Sequence, residues 1–239
     1  MTQRAIQISK SQYIRGKQCP LSLWNALYRR DLAADVDASR EAILATGRDI
    51  GEWAKKRFPG GVELKSAFFD HAAGAAETKM LVDAANEIIF EATAVHPTDG
   101  TYARADILKK VPGADTWDLI EVKGSTGVKD YHLDDMSFQY RVFTAAGYRI
   151  NQCFMMLINN EYIRTGEIDP HQLFKLEDIT DSVRSVQPEI EAVVPLLQAA
   201  IEKKEDPPLA TIGARCFKPF DCEYVAHCWK GVPDYSIYN

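Results

Sequence analysis

No apolar run among the 239 residues approaches the ~20 that a membrane-spanning helix needs. The opening segment, MTQRAIQISKSQ, also lacks the apolar centre of a secretory signal. A cytoplasmic location without membrane attachment is therefore expected. Excess positive charge is missing too. The formal net charge is −6, which argues against a protein that holds nucleic acid by bulk electrostatics. Cysteine is scarce, five in all, and in a cytoplasmic chain these are not expected to form a disulfide framework. No internal repeat or low-complexity tract is visible. The first thirty residues contain no acid, yet carry Arg4, Lys10, Arg15, Lys17, Arg29 and Arg30. Such an arm suits phosphate contact as well as it suits a solvated surface.

What is present suffices for a packed core. The chain is 46% hydrophobic and 26% charged, ordinary globular values, and long enough for one large domain or two small ones. Ser9 or Ser11 is placed to cap a short helix over Gln12 to Arg15, which Cys19-Pro20 breaks before a second helix starts at Leu21. Helical spacing recurs over 38–58, with Ile43, Leu44, Ile50, Trp53, Ala54 and Phe58 as its stripe and Pro59-Gly60-Gly61 as its end. It returns over 75–87, over 133–146 with Gly147 as stop, and over 182–204. Branched and aromatic runs predict strands over 87–95, 101–108, 117–123 and 152–158. They also predict an edge strand within 62–69 and a peripheral hairpin of 162–167 with 173–176. The order of helix, three strands, helix, strand gives a mixed sheet flanked by helices, an α/β sandwich.

The stretch TYARADILKKVPGADTWDLIEVK, residues 101–123, organises the rest. Two apolar runs meet at a Pro112-Gly113 turn. The first carries a lone acid, Asp106, and the second ends in Glu121, Val122 and Lys123. Residues i and i+2 of a strand share a face, so Glu121 and Lys123 project together, and a hairpin brings Asp106 to the same place. Two hard oxygen ligands beside an ammonium suit Mg²⁺ or Mn²⁺ and water attack on a phosphodiester. The bare Glu-x-Lys pattern is common, since Glu63, Glu77 and Glu202 also begin one. A solvated strand end with a surface salt bridge is the bland account of the same residues.

ARADIL and LIEVKGST, in that strand order, resemble the second and third motifs of the PD-(D/E)XK nuclease superfamily, in its RecB-like branch. The resemblance implies a restriction-endonuclease-like fold. It also implies a catalytic role for Asp106, Glu121, Lys123 and Gln139, with Asp106, Glu121 and the Val122 carbonyl on the metal. Gln139 matches the branch's Gln-x-x-x-Tyr motif, whereas Phe143 stands at its tyrosine and Tyr140 is out of register. The branch's early metal-binding His falls at Gly51, in Gly47-Arg48-Asp49-Ile50-Gly51-Glu52. Glu91 on the first strand, or Glu52, is the candidate substitute, and Glu91 the better one because it faces neighbouring strands.

The cysteines match separately. One group of that branch, including the AddB nuclease and the CRISPR-associated RecB-like exonucleases, places one cysteine before the core and three after it around a [4Fe–4S] cluster. Cys19, then Cys216, Cys222 and Cys228, fit that layout. Zinc sites close on shorter knuckles, although His227 keeps a mixed zinc site open. Cys153, in NQCFMMLI, is a buried strand residue by its context.

The resemblance thus implies a Mg²⁺- or Mn²⁺-dependent deoxyribonuclease, an exonuclease on single-stranded DNA or DNA ends, with DNA repair, phage recombination and CRISPR adaptation all open as its setting. Lys10, Arg15, Lys17, Arg29 and Arg30 would line the DNA approach. Further domains or a helicase or recombination partner fit the same picture. A single nuclease domain over 1–239 is expected, with its core at about 75–160. Residues 1–60 and 205–239 would form the iron–sulfur region, joined at the cysteines. The stop after GVPDYSIYN suits either a fragment of a longer protein or a compact stand-alone version. The alternatives are an inactive iron–sulfur nucleic-acid-binding module on a nuclease scaffold, and a redox sensor.

Overall fold

The computed structural model describes residues 7–35, 38–233 and 235–236. Arg4 lies outside the described residues, as do the side chains of Ile43 and Leu44. Ser9 caps α1 (Lys10–Gln18): its hydroxyl accepts the Gln12 N–H, and Gln12 Oε1 accepts the Ser9 N–H. Cys19 ends α1 in extended backbone, and Pro20 opens α2 (Pro20–Tyr28), where its missing N–H is no loss. The chain continues through α3 (Ala38–Lys56), β1 (Val62–Glu63), α4 (His71–Asp83), β2 (Ile88–Val95), β3 (Tyr102–Lys110) and β4 (Trp117–Lys123). It then forms α5 (Asp130–Ala145), β5 (Ile150–Ile158), α6 (Pro170–Leu173), β6 (Phe174–Asp178), α7 (Thr180–Ser185), α8 (Gln187–Glu202) and α9 (Val225–Cys228).

Six strands form one mixed sheet in sequence order. β2, β3 and β4 are an antiparallel meander, β5 lies parallel to β4 after the α5 crossover, and β6 closes the far edge antiparallel. β1 pairs parallel with β2 on the near edge. Helices cover both faces, an arrangement compatible with a restriction-endonuclease-like fold, as the strand order implied. The larger core lies between the sheet and α1, α2, α5 and α8, with Tyr13, Leu23, Phe138, Phe143 and Leu197 buried in it. A smaller core holds Ala54 of α3 against Phe90, Ile107 and Ile120. No side chain but hydrogen fits at position 16 without displacement: a Cβ there would come within 2.9 Å of Leu23 and 2.8 Å of Leu197. Among the described residues no helix is long and apolar enough to cross a membrane.

Four expectations need correction. The edge strand shrinks to two residues. The helix expected over 75–87 starts four residues earlier, because Asp70 caps it by accepting the Ala73 N–H. No strand forms over 162–167, and β6 pairs with β5 instead of with a hairpin partner. The helix expected over 182–204 divides at Val186, because Pro188 has no N–H to donate to the preceding turn and instead opens a new helix.

α4 is tied to β2 by one buried hydroxyl. Thr78 Oγ1 donates to the Gly74 carbonyl at 2.9 Å and accepts the Thr93 N–H at 2.8 Å. Thr78→Val keeps the shape and strands that N–H, so urea unfolding should show a loss of about 1–3 kcal/mol. Unchanged stability would contradict this assignment.

Candidate active site

The β3–β4 ladder ends at the Ile107–Ile120 pair. Beyond it the Asp106 side chain takes over from the backbone, and its Oδ2 accepts the Val122 N–H at 2.7 Å. Alternation changes phase at the same level. Ala103 and Ala105 pack in the larger core, Ile107 in the smaller, and Leu108 in the larger again. β2 makes the matching change between Phe90 and Ala92, while the pairs Phe90–Ile107 and Ala92–Ala105 keep one register. Glu91, between them, has φ of 58°. A non-glycine residue in the left-handed region costs about 1–3 kcal/mol and persists only where surrounding structure enforces it. Here the pairs on either side enforce it.

Glu121 is 2% exposed and saturated with donors. Lys10 Nζ reaches both its oxygens, at 2.9 and 3.0 Å. Lys123 Nζ donates to Oε1 at 2.7 Å, and Gln139 Nε2 to Oε2 at 2.8 Å. Burial alone would raise this carboxyl, but Lys10 and Lys123 outweigh it and hold the group well below the usual carboxylate range. Asp135 closes the network, accepting from Lys123 at 2.6 Å and from Gln139 at 3.3 Å. Burial works against the Lys123 charge, yet Glu121, Asp135 and Asp106 hold its pKa well above that of an ordinary lysine. At the start of α5, His132 Nδ1 accepts the Lys129 N–H, and burial with nearby Lys123 lowers its pKa to about 4.

Asp106 is in the opposite condition. The Val122 N–H is its one hydrogen-bond donor among the described residues. Burial, then repulsion from Glu121, pushes its carboxyl up to about 7. It faces an open cleft of about 710 Å³ with Glu91, Glu121, Val122 and Lys123. Gly47 and Gly51 form the far wall, and a Cβ at either would meet nothing within 4 Å. Glu52 also lines the cleft, but its carboxylate is on Lys55 at 2.8 Å. Glu91 is the more buried acid: burial raises its pKa, and Arg104 stands 4.0 Å away.

The structure therefore brings together Asp106, Glu121, Lys123 and Gln139, with Glu91 on the same cleft. Lys10 joins this network through Glu121, and Asp135 belongs here unforeseen. The other basic candidates lie elsewhere: Arg15 on Glu223, Lys17 on Asp134 and Glu189, Arg29 on Asp31, and Arg30 exposed. Phe143 is buried in the core and Tyr140 packs against it, so neither reaches the site.

The four candidate thiols, Cys19, Cys216, Cys222 and Cys228, line a separate cavity of about 440 Å³, together with His227. All are free, and burial, with the other three thiols, raises the pKa of Cys228. Cys222 Sγ donates to Ser22 Oγ at 3.6 Å. Cys153 is buried in β5, and burial raises its pKa to about 12. Among the described residues, no three His, Cys, Asp or Glu side chains are drawn close enough to hold a metal ion by themselves.

No protein-family model matches the chain, and neither does any curated protein. Among solved structures it is similar to SSO0001, at 12% identity over 82% of this chain and 79% of that one, with TM-score 0.39. It is also similar to an alkaline exonuclease, LHK-Exo, from Laribacter hongkongensis, at 17% identity over 83% of this chain and 91% of that one, with TM-score 0.35. Both likenesses are too distant to bear on function.

The two carboxylates give opposite pH signatures. Glu121 contributes stability above the ordinary carboxylate pKa that is lost as pH falls. The raised pKa of Asp106 gives stability that is full below pH ~4 and lost as pH rises through about 7. In EDTA, Asp106→Asn should be more stable than wild type at pH 8 by on the order of 2 kcal/mol in urea unfolding, the difference vanishing near pH 4. A variant less stable than wild type at pH 8 would count against the assignment.

Proposed function

We propose that the chain is a metal-dependent nuclease that hydrolyses DNA phosphodiesters. What supports this most is the contrast between the two carboxylates. Glu121 takes four donor contacts, whereas Asp106 has the single Val122 N–H and faces an open cleft beside it. Asp106, with the Val122 carbonyl and Glu91, would hold Mg²⁺ or Mn²⁺, and Glu121 would join them by exchanging one of its ammonium donors for the ion. Mg²⁺ in particular keeps several waters and is bound through only one or two carboxylates. The bound ion would supply charge neutralisation and an acidified water.

The protein side chains then divide the remaining work. Lys123, kept charged by Glu121 and Asp135, acts as a cation and donor rather than a base. It orients the attacking water and offsets charge on the phosphorane. Gln139 and Lys10 fix the Glu121 carboxylate, and Asp135 holds Lys123 in place. The four-thiol cavity has the soft, all-sulfur donor set of a [4Fe–4S] cluster, whose task would be to staple residues 216–228 onto Cys19. Zinc, with His227 among its ligands, is the competing occupant. A second reading, a non-catalytic nucleic-acid binder, draws on the bare wall at Gly51.

Lys123→Ala should keep the fold and lower Mn²⁺-dependent cleavage of labelled DNA by about 10²-fold or more. Retained cleavage would overturn the assignment, and wild-type protein that binds DNA but leaves it intact with Mn²⁺ would favour the binder. After anaerobic purification, iron and sulfide in equal amounts are expected. A colourless, zinc-loaded protein would remove the cluster.

A further inference from the structure

A second opening leads away from Lys123. On the α1 side, a cleft of about 260 Å³ is lined by Lys10, Lys123 and Asp135 at one end and by Tyr131 and Phe220 at the other. It shares Ile14, Gln18 and Tyr131 with a wider cleft of about 730 Å³. The two make one continuous groove from the active-site ammonium, past an aromatic pair, to the surface.

The aromatic pair is built rather than incidental. Tyr131 opens the first turn of α5, and its ring meets that of Phe220 at 4.6 Å and 60°. Phe220 is 44% exposed although large and apolar. Its backbone is held by α1, because Gln18 Nε2 donates to the Phe220 and Arg215 carbonyls, each at 2.7 Å. Lys129 Nζ lies 5.7 Å from the centre of the Tyr131 ring.

Charge distinguishes the outer part of this groove, whereas its inner part sets Asp135, Asp221 and Glu223 beside Lys10, Arg15 and Lys123. Lys129, Arg215 and Lys218 line its outer part, all exposed and none in an ion pair among the described residues. Lys17 also lines it but is held by Asp134 and Glu189. The acids facing the outer part are Asp130 and Asp134, and the latter is already engaged. Unengaged cations along a groove, with aromatic rings between them and the reacting centre, are the combination that holds an unpaired strand: phosphates on the cations, base faces on the rings. A duplex keeps its base faces stacked internally and cannot use the rings.

We propose that this groove is a binding site for an unpaired nucleic-acid strand, with Tyr131 and Phe220 as the stacking platform and Lys129, Arg215 and Lys218 as the phosphate contacts. This rests on the phosphodiester centre proposed above, because it delivers the strand to Lys123. Of the cations that the sequence pointed to in the first thirty residues, Lys10, Arg15 and Lys17 line the groove but are ion-paired. Those in no ion pair among the described residues come from the other end of the chain and the start of α5.

The test separates groove from centre. Fluorescence anisotropy in EDTA would measure binding of labelled 15-mers, single-stranded DNA, single-stranded RNA and duplex DNA, to wild type, Tyr131→Leu/Phe220→Leu and Lys129→Glu/Lys218→Glu, each checked for folding by circular dichroism. Wild type should prefer one or both single strands over duplex. The aromatic variant should lose about tenfold in affinity. The charge variant should lose affinity and also reduce the salt slope by roughly 1.4, about 0.7 for each phosphate contact. Folded variants that bind as wild type, a preference for duplex, or equal binding of polyglutamate would overturn the groove. Hydrolysis of bis(p-nitrophenyl) phosphate by wild type with Mn²⁺ tests the centre alone. If it fails while the variants still lose strand binding, the groove stands and the nuclease reading falls.

Discussion

A buried carboxylate in the middle of a sheet is the constraint that the rest of the molecule answers to. Glu121 stays ionised at 2% exposure only because three donors from three elements converge on it: Lys10 from α1, Lys123 from its own strand and Gln139 from α5. An unpaired buried charge would cost several kcal/mol. Each donor is therefore held in turn. The capping box at Ser9 starts α1 where Lys10 reaches the site. Asp135 takes the second hydrogen bond of Lys123 and keeps Gln139 aimed. Burial raises both carboxyls, but the ammonium groups override it at Glu121 and not at Asp106, one strand away, which has only the Val122 N–H as donor among the described residues.

α1 links the two ends of the site. Lys10 stands at its first turn and Cys19 just past its last, nine residues apart. Between them Arg15 pairs with Glu223, and Gln18 donates to two carbonyls of the segment that carries Cys216 and Cys222. The thiol cavity and the carboxylate network are thus supported by one short helix. Gly16 lets that helix lie against Leu197 of α8.

Much of this was legible in the chain itself. Period-two alternation and the Pro112-Gly113 turn predict the hairpin, and the hairpin places Asp106, Glu121 and Lys123 together. Gln139 comes from the resemblance to the Gln-x-x-x-Tyr motif, not from local spacing. Asp135 escaped, although it stands four residues before Gln139 and a helix puts the two on one face. Lys10 was read as part of a basic arm because nothing local joins it to a residue 111 positions away. The left-handed backbone of Glu91 has no sequence signature, since it is imposed by the paired strands. The division at Val186 was visible in Pro188, and apolar spacing masked it.

The central claim is that Asp106, with a single donor, and Glu121 make a divalent-cation site. Electron paramagnetic resonance of free Mn²⁺, titrated with wild type and with Asp106→Ala, tests it most directly. The account predicts that the wild-type chain takes up Mn²⁺ and the variant does not. Equal uptake by both, or none by wild type, would contradict it.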